Sequence, residues 1–115
     1  MNWLDPFFLT IGSSALIFLI VGLLQKRFPP AKINPYYGYR TPSSMRSQER
    51  WHFAQRYSAS VMIRMGATVA PFAIVGLFMT WPPVTSAIVA LAVVGAMVAI
   101  LLVGTERAIR HRFEV

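Results

Sequence analysis

The sequence contains no cysteine, few acids and few charges of either sign. Without cysteine there is no disulfide framework, no thiolate nucleophile and no cysteine metal site. Charged residues make up 13% of the 115-residue chain, against roughly 25% in a typical soluble domain. The acids are Asp5, Glu49, Glu106 and Glu114, and no spacing places two of them on one helical face. The histidines, His52 and His111, lie far apart in the chain. No glycine-rich phosphate loop or nucleophile elbow is present. Glu49-Arg-Trp-His52 does match the Glu-x-x-His spacing that sets two metal ligands on one helix face. Di-metal carboxylate bundles carry that pair twice and add further glutamates, whereas here it occurs once, and a solvated polar face is the better reading. No catalytic residue, metal site or cofactor is assigned, and the chain is not expected to be an enzyme.

What the sequence has instead is long apolar runs: 56% of its residues are hydrophobic. Phe7 to Gln25 carries no charge, Ala59 to Thr80 carries only Arg64, and Val84 to Gly104 carries none. Each is long enough, at about 1.5 Å per residue, to cross a hydrocarbon core of about 30 Å. Lipid offers no partners for backbone amides, so each run should be α-helical. The expected fold is therefore an all-α integral membrane protein. It forms a single membrane domain over residues 1–115, with spans at about 7–25, 59–80 and 84–104. Asp5 before the first run and Lys26-Arg27 after it reverse the charge order of a signal peptide, so cleavage is not expected.

The net charge is +7, from eleven Lys and Arg residues against four acids. In a soluble protein that excess would suggest nucleic acid. Here the cations lie in the 26–58 loop, near the start of the second span and after the third, which puts all of them on one side of a three-span protein. The positive-inside rule makes that side the cytoplasm of a bacterial inner membrane, with the N-terminus outside and the C-terminus inside. Anionic headgroups then replace nucleic acid as the expected partner. Trp3 and Trp81 fall at the outer boundary, and Trp51, Tyr57 and the loop tyrosines at the inner one, as amphipathic rings prefer.

Within the spans, Gly66 and Ala70, Ala92 and Ala96, and Gly95 and Ala99 have the small-xxx-small spacing that lets helices approach closely. Pro71 should bend the second span. His52, Arg56, Ser60, Arg64 and Thr68 recur every four residues as a polar stripe. The second helix should accordingly begin well before the lipid, capped by Ser47 with Glu49 in its first turn, or by Thr41 with Pro42 following. It then either extends from the membrane or lies along it as an interfacial helix. Arg64 either snorkels to the headgroups or lines a polar cavity, where Glu106 is a candidate partner.

The loop "KINPYYGYRTPSSMRSQERWHFAQRY", Lys32 to Tyr57, is more specified than a tether requires. Asn34 and Pro35 can set a turn, Gly38 suits a backbone angle that a β-carbon would penalise, and Tyr36 can anchor at the interface. Arg40 offers a planar fork for phosphate or carboxylate. This stretch resembles the signature of the SdpI family, an Asn-x-x-x-Gly-x-Arg-Thr element followed by serines and a tryptophan-bearing segment. Asn34, Gly38, Arg40, Thr41, Ser44, Ser47 and Trp51 stand at the matching positions. The resemblance implies a bacterial inner-membrane protein. The family's namesake protects cells against a secreted peptide toxin and holds a transcriptional repressor at the membrane, although this chain is shorter. A binding, immunity or signalling module is therefore expected, with a peptide toxin or a cytoplasmic regulator as candidate partner. The alternative is a small transporter or channel, built by homo-oligomerisation around the Arg64 stripe.

Overall fold

In a computed structural model, residues 3–114 are described. They form three helices in the order α1 (Pro6–Arg27), α2 (Gln48–Gly76) and α3 (Pro83–Phe113), and no strand occurs among them. All three are long and apolar enough to cross a membrane. At 22, 29 and 31 residues they measure about 33, 43 and 46 Å.

Each helix begins where local chemistry dictates. The Asp5 carboxylate accepts from the amides of Phe7 and Phe8, and Pro6 occupies the first turn, where no amide partner is lost. Ser47 caps α2 by accepting from the Arg50 amide, with Glu49 in the first turn. The Thr41–Pro42 start is not used, and residues 42–45 turn instead. α2 then runs unbroken from Gln48, so the polar stripe extends the second span and no separate interfacial helix forms. Pro71 is accommodated inside it. The helix stops at Gly76, short of the expected Thr80, where Leu77 and Phe78 donate back three residues in tighter turns. α3 runs past Gly104 to Phe113, because its last turns carry Arg110 and Arg112, cations that complement a helix C-terminus.

α1 and α2 are antiparallel and closely packed, with small residues at the contact. Gly22 lies against the backbone of Ala59 and Ile63, Gly66 against the carbonyl of Ala15, and Gly76 against the Phe7 ring. Ala59, Gly66 and Ala73 recur every two turns on the buried face of α2. Lipid is as apolar as leucine, so close backbone approach replaces hydrophobic burial as the source of attraction. Of the expected pair, Gly66 lies in this seam and Ala70 at its half-buried edge. The small residues of α3 behave differently. Ala92, Gly95, Ala96 and Ala99 are exposed, and α3 instead buries Ser86, Ala90, Met97, Thr105 and Ile109.

At the end formed by the α2–α3 turn, Asp5 does more than cap α1. Ser86 donates to the same carboxylate at 2.9 Å, and Trp81 Nε1 donates at 3.2 Å. Phe7 and Trp81 meet edge to face at 5.1 Å. This ties the starts of α1 and α3 together, so the two helices run parallel.

Candidate functional site

The opposite end of the bundle is covered by residues 28–47, folded as a series of turns. Asn34 organises the first. Its Oδ1 accepts from the amides of Tyr36 and Tyr37 at 2.9 and 2.7 Å, and its Nδ2 donates to the Lys32 carbonyl. This is an Asx turn, with Pro35 inside it fixing φ. Arg40 Nε donates to the Asn34 carbonyl at 2.7 Å and closes the turn into a ring, while Arg40 itself stays exposed.

Gly38 has a φ of +105°, the left-handed region that favours glycine. A β-carbon there would also collide with the Gln55 side chain and Pro30. This bend delivers Tyr39 to a buried amide. The Tyr39 N–H donates to Gln55 Oε1 at 2.7 Å, and Gln55 Nε2 donates to the Tyr39 carbonyl at 2.8 Å. Gln55 therefore pairs with the loop backbone as a neighbouring strand would. Its own carbonyl accepts from Gln25 Nε2 of α1 at 2.9 Å, and the same nitrogen reaches Ser58 Oγ at 2.7 Å. Gln25, Gln55 and Ser58 are all buried, and their mutual bonding offsets the cost of burying polar groups.

Beyond the amide pair, the loop reaches α3. The Tyr39 hydroxyl and Thr41 Oγ1 each donate to Glu106 Oε1 at 2.7 Å. Burial pushes the Tyr39 phenol well above its ordinary range, and the neighbouring carboxylate adds to the shift, so Tyr39 stays protonated as a donor. Thr41 and Ser44 bond reciprocally: the Thr41 amide donates to Ser44 Oγ and the Ser44 amide to Thr41 Oγ1. Arg46 and Arg50 both pair with Glu114, at 3.0 and 3.1 Å, and Arg50 also lies over the Phe113 ring.

The expected site residues thus divide into three groups. Asn34, Gly38, Thr41, Ser44 and Ser47 build the loop and its junction with α2. Trp51, expected at the interface, is fully buried, and its Nε1 donates to the Pro30 carbonyl at 2.7 Å. Pro35, Tyr36 and Arg40 are exposed and form its outer surface. The polar stripe of His52, Arg56 and Arg64 lies on the exposed face of α2, and its first member sits beside the loop, since Gln48 next to it donates to the Ala31 carbonyl. His52 Nε2 lies 3.1 Å from the Gln48 amide nitrogen. Arg64 Nε donates to the Ser60 carbonyl, one turn nearer the loop, in the direction a snorkelling side chain takes. Arg64 does not pair with Glu106, because the loop already occupies that carboxylate. Among the described residues no cluster of His, Asp and Glu able to hold a metal is found.

Sequence reading missed Gln25, Tyr39 and Gln55, and missed what Glu106 does. A signal for the glutamines was present. A strongly polar amide at the end of an apolar span, or on the inner side of a helix, must find partners. Beneath Gly38–Thr41 and above Gln25, Met62 and Leu102 there is a cavity of about 230 Å³.

This arrangement coincides with a region of known relatives. The sequence profile of the SdpI/YfhL protein family matches residues 31–104, which takes in most of the loop, all of α2 and most of α3. The chain belongs to the SdpI/YfhL family. It is also similar to the uncharacterized protein YfhL of Bacillus subtilis (strain 168), at 52% identity over 54 residues. That match covers 47% of this chain and 49% of YfhL, so the aligned part spans about half the length of the relative. No solved structure matches the chain. Three membrane-length helices and the family together make it a multi-pass membrane protein.

Proposed function

We propose that this SdpI/YfhL-family protein is a non-enzymatic binding module of the bacterial inner membrane. Its loop faces the cytoplasm, and it intercepts a membrane-active peptide or holds a cytoplasmic regulator at the membrane. One observation carries this reading: the loop is fastened to α2 through Gln55 and to α3 through Glu106. A ligand that shifts the helices would therefore also shift the loop, and the reverse. Its exposed surface, with Pro35, Tyr36 and Arg40, supplies an aromatic ring and the outer edge of a guanidinium for recognition. The orientation is supported by the crowding of cations toward the loop end. A transporter normally marks its path with charge at mid-membrane. Here the spans of α1 and α3 carry none, and the Arg64 stripe faces outward.

The test is a strain lacking the gene, challenged with membrane-active peptides. It should be more sensitive than the parent, and the wild-type gene should restore resistance. Arg40→Lys should insert at normal abundance yet fail to restore it, because lysine can keep the bond to Asn34 but cannot present a planar fork. Unchanged sensitivity in the deletion strain, or full rescue by Arg40→Lys, would contradict this reading.

A further inference from the structure

Two hollows on the flank of the bundle share the residues Tyr57 and Arg64. The smaller, about 440 Å³, lies between α1 and α2 and is lined by Lys26, Tyr57, Ser60, Ile63 and Arg64. The larger, about 550 Å³, is a groove between α2 and α3, with Val61, Met65 and Val69 on one wall and Val93, Met97 and Ile100 on the other. Together they make one surface with a cationic, hydroxyl-bearing mouth and an apolar channel leading away from it. Arg64 points back toward the mouth through its bond to Ser60.

We propose that this surface binds one anionic phospholipid from the leaflet on the loop side, with its phosphate at Lys26 and Arg64 and an acyl chain in the α2–α3 groove. Charge complementarity supports that occupant. No acid lines either hollow, and neither cation has a carboxylate partner among the described residues. Two cations at a membrane boundary without a counter-charge attract a phosphate. Length agrees as well. From Val93 to Gly104 the groove runs about 17 Å along α3, close to the ~15 Å that one leaflet contributes to the hydrocarbon core. A second copy of the chain is a poorer fit. Asp5 is tied at the far end of the bundle, while Glu106 and Glu114 are already engaged. Among the described residues only the Glu49 carboxylate remains to meet the cations, and it lies in the first turn of α2.

The full chain would be reconstituted with phosphatidylglycerol bearing a photoreactive group in its acyl chain, and adducts mapped by peptide mass. Labelling should concentrate on the segments 61–69 and 93–100, exceeding that on the outward residues Leu16 and Ile17 of α1. Unlabelled phosphatidylglycerol should compete for it, and phosphatidylcholine should not. In the Lys26→Gln/Arg64→Gln variant the headgroup preference should disappear while ordinary lipid labelling of α1 persists, which shows that the protein is still inserted. Equal labelling of groove and α1, or an unchanged preference in the double variant, would overturn the proposal. So would efficient disulfide formation between copies carrying Ala96→Cys together with loss of groove labelling, since the occupant would then be a second protein.

Discussion

At Tyr39 the backbone and the phenol are held by different helices: Gln55 of α2 takes the peptide group and Glu106 of α3 takes the hydroxyl. The conformation depends on Gly38, since a positive φ and the crowding by Gln55 and Pro30 both exclude a side chain there. The phenol's upward shift has a consequence for stability. A group that holds its proton more tightly when folded adds stability that is complete below its unfolded pKa, near 10, and is lost as pH rises through the folded value. Tyr39→Phe should therefore lower the thermal midpoint by an amount that is constant between about pH 6 and 9 and shrinks at more alkaline pH. A midpoint difference that instead changed between pH 6 and 9 would place the titrating group elsewhere. Asn34, Pro35 and Gly38 were legible as turn residues because their chemistry is local. The partner of Arg40 and the use of Glu106 were not, because they depend on where a distant helix end comes to rest.

Among the elements, the unequal packing of the three helices stands out. α1 and α2 meet at Gly22 and Gly66, where an added β-carbon would meet the backbone of Ala59 and Ile63 or of Ala15 and Leu19. At Gly95 of α3 the space for a β-carbon is open. Gly66→Leu should therefore separate α1 from α2 and lower the thermal midpoint in detergent sharply, with loss of folded protein as the extreme outcome. Gly95→Leu should leave the midpoint nearly unchanged. Equal effects at the two positions would show that the small residues of α3 are packed too. Helix existence was readable from the apolar runs, and Ser47 with Glu49 was one of the two starts the sequence offered for α2. Which small residues form the seam was not readable, since small-xxx-small spacing recurs on both α2 and α3 and only packing distinguishes them. The tie between Asp5, Ser86 and Trp81 was hidden for the same reason: its members are some 80 residues apart in sequence.

As a whole, the molecule is polarised from one end of the helix bundle to the other. One end is closed by the buried Asp5 carboxylate and a Trp-Pro-Pro turn. The other carries the folded loop, its ion pairs to Glu114 and most of the cations. This charge asymmetry, on which the proposed orientation rests, was visible in the sequence. We propose that the folded loop is a platform on the cytoplasmic side of the three membrane-length helices. The chain has no cysteine of its own, so single substitutions report their location without background. Tyr36 is 92% exposed at the tip of the loop, and Thr85 is exposed beside the α2–α3 turn. With an impermeant thiol reagent, Thr85→Cys should be labelled in intact cells and Tyr36→Cys only after the membrane is opened. Labelling of Tyr36→Cys in intact cells, with Thr85→Cys protected, would contradict the account.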